Sequence, residues 1–304
     1  MRVSSTLGTG PAQSLEAMTE IARSYRDAGV HALWLNDTYT VDPLTAIAAM
    51  GTAVDTLHFG TAIVTILPRH PLMLASQALT TQSATGDRLT LGIGPGHRHQ
   101  VEAKLGIPWT RPVSYTEEYV QILNSLFSGA ETDFSGELLR TSGRLQLDGA
   151  AAPPLLVAAL RPRMLRLAGE QADGTIVVWT GLRNVSEWIV PRISEAAEQA
   201  GRPAPQVVVN VPLCVTDDPD STRAWSAKAF EVSKVVPTYK ELFEREAGPG
   251  AGPEDVVVVG DEAGVERQLR SYADAGATEF VAFPFGPDLP RTIAFLGEMN
   301  RSLR

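Results

Sequence analysis

The sequence predicts a (β/α)₈ barrel, the TIM-barrel fold, in which eight parallel strands form a closed ring and helices cover its outside. Three observations predict it. Short runs rich in Val, Ile and Leu alternate with longer amphipathic runs along the 304 residues. Two of the short runs, 57–65 and 174–179, are apolar almost throughout, as is typical of parallel strands covered on both faces. The segments SYRDAGVHALWL at 24–35 and SYADAGATEFVA at 271–282 each pass from a helix through a glycine into a strand.

Each expected strand is a short aliphatic or β-branched run bounded by polar residues or glycine. The expected strands cover residues 2–7, 31–36, 57–65, 89–94, 154–160, 174–179, 206–216 and 277–284. In each expected helix the apolar residues recur at spacings of three and four, which places them on one face. The expected helices cover residues 14–28, 43–54, 71–85, 112–128, 162–172, 184–200, parts of 218–246, 261–275 and 288–302. An open doubly wound sheet would give the same local pattern and is the alternative.

Three stretches, about 97–111, 129–149 and 225–255, exceed what a plain barrel needs. The second carries Ser-Gly turns and predicts a hairpin. The third predicts helix that is interrupted at Pro237. The second and third stretches could each lie over the barrel mouth as a lid or face solvent. Because no linker or change of composition divides the chain, we expect one domain over 1–304.

Composition and charge argue against several classes of protein. The formal charge is −9, whereas nucleic-acid binding requires a clustered basic face. The first residues lack a signal-peptide pattern, and no apolar run approaches the roughly 20 residues that span a bilayer, so we expect a cytoplasmic protein without a membrane partner. The single cysteine, Cys214, lies in an apolar run and cannot form an intrachain disulfide. The five histidines show no zinc-binding spacing, and no metal site is expected.

Residues 89–100, LTLGIGPGHRHQ, indicate a ligand site. Gly94 and Gly96 follow an apolar strand and precede His97. The third glycine of the dinucleotide fingerprint G-x-G-x-x-G is missing and no helix pattern follows at once, which argues against a Rossmann site. The glycines would instead let a planar or phosphorylated ligand approach the backbone. The alternative is a tight turn that simply ends a strand.

In a barrel of this kind, binding and catalytic residues collect where the strands end, on one rim. There the sequence places histidines and arginines, although the protein is acidic overall. The expected helix at 162–172 begins with a proline and would direct its positive end to the same rim, where it could hold a phosphate. The expected rim residues include Asn36, Asp37, Thr38, Thr65, Arg69, His70, Gly94, His97, Ala158, Ala159, Leu160, Arg161, Trp179 and Thr180.

Four motifs resemble the bacterial luciferase-like monooxygenase superfamily, and within it the branch that uses the deazaflavin coenzyme F420. They are FGTAIVT at 59–65, RLTLGIGPGH at 88–97, PPLLVAALRPRMLRLAGEQADGTIVVW at 153–179 and, more weakly, EEYVQILNSLFSG at 117–129. The third motif is the most specific. The resemblance extends over nearly the whole chain. It implies a luciferase-like TIM barrel that binds F420 at its mouth, and a homodimer.

The resemblance also implies roles for individual residues. Relatives have a non-proline cis peptide that supports the cofactor ring, and the matching bond is Ala62–Ile63. The implied cofactor contacts are Ala62, Ile63, Thr65, Gly94 and Gly96, with the backbone of Ala158, Ala159, Leu160 and Arg161 at the phosphate. The expected catalytic residues are His97 and Asp37, and the expected substrate contacts are Thr38, Trp179 and Thr180. For Asp37 the alternative is a carboxylate that stabilises a turn at a strand end.

One activity of the superfamily is not expected. Some F420-dependent sugar phosphate dehydrogenases have a histidine where this chain has Thr38, and a glutamate where it has His97. His97 is instead the expected proton donor or acceptor, because imidazole titrates near neutral pH.

The leading hypothesis is an F420-dependent oxidoreductase that transfers hydride to a C=C, C=N or C=O bond of a small organic substrate. Two alternatives are an FMN-dependent monooxygenase and a barrel that binds a deazaflavin or another small ligand without catalysis.

Overall fold

The computed structural model describes residues 1–7 and 14–303, and in these residues eight parallel strands close into a barrel. Each strand pairs with the next, and the eighth pairs with the first. The first to eighth strands are Arg2–Thr6, Ala32–Leu35, His58–Thr61 continued by Val64–Thr65, Leu89–Gly94, Leu155–Ala158, Gly174–Val178, Gln206–Val215 and Glu279–Pro284. The predicted TIM barrel is confirmed, and the open sheet is excluded because the ring closes.

Helices cover the outside of the barrel. Asp42, Asp261 and Asp288 each begin a helix by accepting a hydrogen bond from the backbone amide three residues later. The α-helices of eight or more residues are Leu15–Ala28, Pro43–Ala53, Pro71–Thr85, Pro112–Phe127, Pro162–Gln171, Val190–Gln199, Pro219–Ala229, Pro237–Ala247, Glu262–Asp274 and Leu289–Ser302. The helix expected at 184–200 begins earlier, with Leu182–Asn184 and the π-helix Val185–Ile189 ahead of Val190–Gln199.

The predicted hairpin is present in the second insertion. Thr132–Ser135 pairs antiparallel with Arg140–Gly143. The Glu118 carboxylate, on the helix Pro112–Phe127, accepts hydrogen bonds from backbone amides at the hairpin turn, including the Leu139 amide at 2.7 Å. The hairpin is therefore tied to a barrel helix.

The third insertion is almost entirely helical. The expected interruption at Pro237 is present: the helix Pro219–Ala229 ends before it, and Pro237 begins a separate helix, Pro237–Ala247, because proline is favoured at the first helical position. The 3₁₀ turn Glu231–Val235 precedes it. A strand that the sequence did not predict, Val258–Gly260, pairs with the seventh barrel strand outside the ring. Its three residues are too few to show a period. In the first insertion, Arg98–Gln100 leads into the π-helix Val101–Leu105.

Strand residues alternate between the barrel interior and the layer beneath the helices. One cluster of buried side chains fills the middle of the barrel: Ala32, Trp34, Leu156, Ile176, Val208 and Val281. Gly60 is required beside this cluster, because a Cβ at that position would collide with the Trp34 indole. The barrel is thus packed below its mouth.

Glu279 lies buried at the amino-terminal end of the eighth strand, beneath that cluster. Its Oε1 accepts hydrogen bonds from Ser4 Oγ at 2.7 Å and from Trp34 Nε1 at 2.7 Å. Its Oε2 lies 3.2 Å from Arg2 Nε. Burial raises the pKa of Glu279 above its ordinary value, and the attraction of Arg2 only partly opposes this.

Glu279→Gln should alter the pH dependence of stability, because the glutamine oxygen can still accept both hydrogen bonds. A carboxyl whose pKa is raised by folding stabilises the protein fully below its ordinary pKa of about 4.3, and this contribution is lost as the pH rises through the folded-state pKa. The free energy of unfolding of the variant relative to the parent should therefore increase as the pH rises from about 4. Urea denaturation at each pH measures it.

Glu298→Gln is a suitable control, because Glu298 is exposed on the helix Leu289–Ser302. A difference for Glu279→Gln that stays constant or decreases as the pH rises would contradict the prediction.

Candidate active site

The mouth of the barrel has small residues on the side of the fourth and fifth strands. A Cβ on Gly94 would lie 3.1 Å from the Ala158 Cβ and 3.3 Å from the Ile63 Cδ1. Ala62, Ile63 and Ala158 are half-buried and pack on the interior cluster below. The third, fourth and fifth strands therefore bring together four of the residues expected to contact the cofactor: Ala62, Ile63, Gly94 and Ala158. Gly96 lies in the loop after the fourth strand and contacts Thr65, another expected cofactor residue.

The Ala62–Ile63 peptide bond is cis, as the resemblance implied. It lies between the two segments of the third strand. The Ala62 amide donates to the Leu35 carbonyl at 2.8 Å, and the Asp37 amide donates to the Ile63 carbonyl at 3.3 Å. Ala62 and Ile63 form a bulge in the third strand, and these two hydrogen bonds fix the bulge to the end of the second strand.

Two buried oxygen atoms at the mouth, Thr6 Oγ1 and Asn36 Oδ1, have no hydrogen-bond partner among the described residues. Thr6 faces the interior, because Ser4, two residues earlier on the same strand, faces it, and Asn36 directly follows the second strand, two residues after the interior residue Trp34. Buried polar atoms are normally paired. The two atoms are therefore available to a bound ligand. The sequence analysis did not identify Thr6, although the alternation of Ser4 and Thr6 on one face of the first strand could have indicated it.

Asp37 is held by a network of hydrogen bonds. Its side chain is 3% exposed, and its Oδ2 lies 2.6 Å from Arg69 Nη1 and 3.2 Å from the Thr65 amide. Arg69 also pairs with Asp42 at 2.8 Å. Asp37 therefore joins the loops that follow the second and third strands, and it fixes Thr65. Its catalytic role stays a prediction, and this geometry favours the alternative of a carboxylate that stabilises the end of a strand.

His97 contacts a residue of the third insertion. Its Nε2 lies 2.9 Å from the hydroxyl of Tyr239, which is on the helix Pro237–Ala247. The imidazole also stacks on His99, with ring centroids 5.8 Å apart. Burial, and to a lesser degree the charge of His99, lowers the pKa of His97. His97 is therefore mainly neutral near pH 7.

The third insertion thus reaches the rim of the barrel, and this contact favours a lid over a segment that only faces solvent. Tyr239 was missed because the run VVPTYKELF reads as an ordinary amphipathic helix. No local signal pairs it with a histidine 142 residues earlier in the chain.

The loop after the fifth strand provides the start of a helix. Arg161 precedes the helix Pro162–Gln171, whose first-turn amides are donors for an anion. The Arg161 guanidinium pairs with Glu241 at 2.6 Å, and the Leu160 carbonyl accepts from Trp188 Nε1 at 3.1 Å. Ala159 is 1% exposed. The phosphate contacts expected at Ala159, Leu160 and Arg161 stay predictions, and these contacts leave the helix amides as the clearest donors.

The expected substrate residues differ in their surroundings. Thr38 is exposed, and Trp179 is half-buried. Thr180 is fully buried, and its hydroxyl donates to the Val178 carbonyl at 3.1 Å. Because no surface of Thr180 is exposed, the structure does not support its expected contact with the substrate.

An aromatic cluster lies beside Trp179, at the ends of the sixth and eighth strands and on the third insertion. The Phe230 ring lies 5.3 Å from Trp179, 6.0 Å from Phe283 and 5.5 Å from Phe285. The Trp225 ring stacks on Phe285 at 5.7 Å and is 52% exposed. The sequence analysis missed this cluster because its members lie on separate elements.

In residues 1–7 and 14–303, no cluster of three or more His, Cys, Asp or Glu side chains could hold a metal ion. None of the described helices is long and apolar enough to cross a membrane.

The profile of the luciferase-like monooxygenase family matches residues 1–279. The chain belongs to this family. The predicted luciferase-like resemblance is therefore confirmed. Among the relatives that this chain resembles in sequence are a reductase and a dehydrogenase. The 5,10-methylenetetrahydromethanopterin reductase of Methanolobus tindarius is 23% identical over 95% of this chain and 96% of its own length. The F420-dependent glucose-6-phosphate dehydrogenase of Nakamurella multipartita is 26% identical over 83% of this chain and 79% of its own length.

Among solved structures, an F420-dependent secondary alcohol dehydrogenase in complex with an F420-acetone adduct is similar in fold. Its TM-score is 0.82, at 17% identity, over 100% of this chain and 99% of that one. At this level of identity the likeness supports the fold of the luciferase-like family.

Proposed function

We propose that this member of the luciferase-like family is an F420-dependent oxidoreductase that reduces a C=C, C=N or C=O bond of a small organic substrate. The observation that carries the proposal is the barrel mouth, where Gly94, Ala158 and Ile63 meet in close contact and His97 follows in the loop after the fourth strand. The names of the relatives support the choice of cofactor, because the glucose-6-phosphate dehydrogenase is F420-dependent.

The residues present fit a deazaflavin. Gly94 and Ala158 are small residues in contact with Ile63, and together they would form a surface against which a planar ring could stack. The oxygens of Thr6 and Asn36, which have no partner among the described residues, could form hydrogen bonds with the polar edge of such a ring. The amides at the start of the helix Pro162–Gln171 suit its phosphate. When bound, the cofactor supplies the hydride chemistry.

The protein's own residues would position the substrate and manage its proton. His97 would place a ring nitrogen next to the substrate atom that receives a proton during the reduction. The pair of Asp37 and Arg69 holds Thr65 in place at the mouth. The aromatic cluster around Phe230 excludes water and favours a substrate with an apolar, planar part.

Binding titrations with F420 and with FMN test the proposal. We expect F420 to bind at least about tenfold more tightly than FMN, a difference of about 1.4 kcal/mol. We also expect the protein to oxidise reduced F420 in the presence of some members of a panel of enones, imines and ketones.

Each other outcome supports a different function. Tighter binding of FMN, with oxygen consumption, would support the monooxygenase. Binding of F420 without turnover across the panel would support a barrel that binds a small ligand.

A further inference from the structure

We propose that Tyr239 is a positioning residue of this site: its hydroxyl donates a hydrogen bond to Nε2 of His97, so that the neutral imidazole carries its proton on Nδ1. His97 then presents an N–H donor to the substrate. The catalytic consequence of this tautomer rests on the proposed function, whereas the tautomer itself does not.

The packing around Tyr239 fixes the direction of its hydroxyl. The side chain is 8% exposed and packs with Leu242 and Phe243 of its own helix and with Val256, and Leu160 and Trp179 lie against the same cluster. The edge of one ring faces the other, since the Tyr239 and His97 planes cross at 84° with centroids 5.3 Å apart. The 2.9 Å hydrogen bond is therefore made by a ring that cannot turn freely.

The chemistry of the pair decides which atom donates. Burial raises the pKa of Tyr239, so its hydroxyl keeps its proton at neutral pH. Within the described residues, His97 Nε2 is the acceptor that lies in hydrogen-bonding distance of this hydroxyl. A neutral imidazole has one donor and one acceptor nitrogen. When Nε2 accepts, Nδ1 carries the proton.

Two titratable groups contact the His97 ring in the described structure: Tyr239 from the insertion helix and His99 from its own loop. Both disfavour the imidazolium form. A positive His99 repels a second positive charge, and Tyr239, as a donor, pairs best with an unprotonated Nε2.

The tautomer selects the kind of substrate atom that His97 can bind. An Nδ1–H donor pairs with a lone pair, such as that of a carbonyl oxygen or an imine nitrogen. It cannot accept the hydrogen of an alcohol. Tyr239 therefore favours ketones, enones and imines over alcohols as ligands of this site.

The tautomer can be measured in the free protein by long-range ¹H–¹⁵N NMR with labelled histidine. The chain has five histidines, and comparison with His97→Gln assigns the signal of His97. We expect the Nδ1–H tautomer in the parent protein and a shift towards the Nε2–H tautomer in Tyr239→Phe, which removes only the hydroxyl. Tyr25→Phe is the matched control, because Tyr25 is also buried but lies on the outer helix Leu15–Ala28.

An Nε2–H signal in the parent protein, or the same tautomer in the parent and in folded Tyr239→Phe, would overturn the proposal. Thermal melting shows whether the variant is folded. Neither result depends on F420.

Kinetics with reduced F420 test the consequence. In Tyr239→Phe we expect kcat for a ketone or imine to fall about tenfold and the pH profile of kcat to shift, with F420 affinity unchanged. An unchanged kcat and pH profile would remove the role in positioning. If the parent protein shows no turnover with any cofactor, the proposed function fails, and the NMR result still decides the tautomer.

Discussion

Replacing His97 with alanine should lower kcat about 10²-fold to 10⁴-fold while F420 affinity changes less than about threefold. The reason is that the ring nitrogen of His97 is expected to contact the substrate. The expected cofactor contacts lie instead on Gly94, Ala158 and the bulge at Ala62–Ile63. Steady-state kinetics with reduced F420, together with a binding titration, measure both quantities.

The neighbouring His99 provides the control for His97. It is exposed, and its ring stacks on His97. His99→Gln should change the pH dependence of turnover slightly and keep most of kcat. If His97→Ala keeps the parental kcat, His97 has no catalytic role. If it loses cofactor affinity as much as kcat, its role is to shape the site.

Replacing Gly94 with valine should weaken F420 binding by about 100-fold or more, about 2.7 kcal/mol. A Cβ at this position already lies 3.1 Å from the Ala158 Cβ and 3.3 Å from the Ile63 Cδ1, so the two additional methyl groups must displace these two residues, which are expected to contact the cofactor. The backbone tolerates the change, because the φ angle of Gly94 lies outside the left-handed region that favours glycine. Fluorescence titration with F420 gives the affinity.

A graded series separates a blocked site from a damaged fold. Gly94→Ala should have a smaller effect than Gly94→Val, because it adds a single methyl group. Gly260→Ala, where the nearest atom to an added Cβ is 3.7 Å away, should leave affinity unchanged. Parental affinity in a folded Gly94→Val protein would show that the cofactor binds elsewhere.

The sequence predicted the barrel well because the fold repeats a local pattern. Each strand is a short aliphatic run and each helix has a regular apolar face, so the alternation is visible without long-range information. Gly94 and His97 were selected as site residues for a related reason, since barrel function collects at strand ends, and their roles stay predictions. Val258–Gly260 was missed because its three residues are too few to show a period.

What the sequence could not provide is the relation between distant side chains. Tyr239 and His97 meet across 142 positions, and nothing near either residue indicates the other. Thr180 looked like a rim residue from its place after a strand, yet the neighbouring packing buries it completely. The oxygens of Thr6 and Asn36 that have no partner among the described residues are buried because of the way their side chains point. Predicting this from the sequence requires knowing which face of each strand turns inward.

The partner of His97 is carried by an insertion, whereas the residues expected to hold the cofactor belong to the barrel strands themselves. The two parts of the site can therefore diverge separately. Exchange of the segment 225–255 between homologous proteins would graft a new partner onto an unchanged ring of strands. The architecture thus permits new reactions to evolve, or to be engineered, without rebuilding the place where the coenzyme binds.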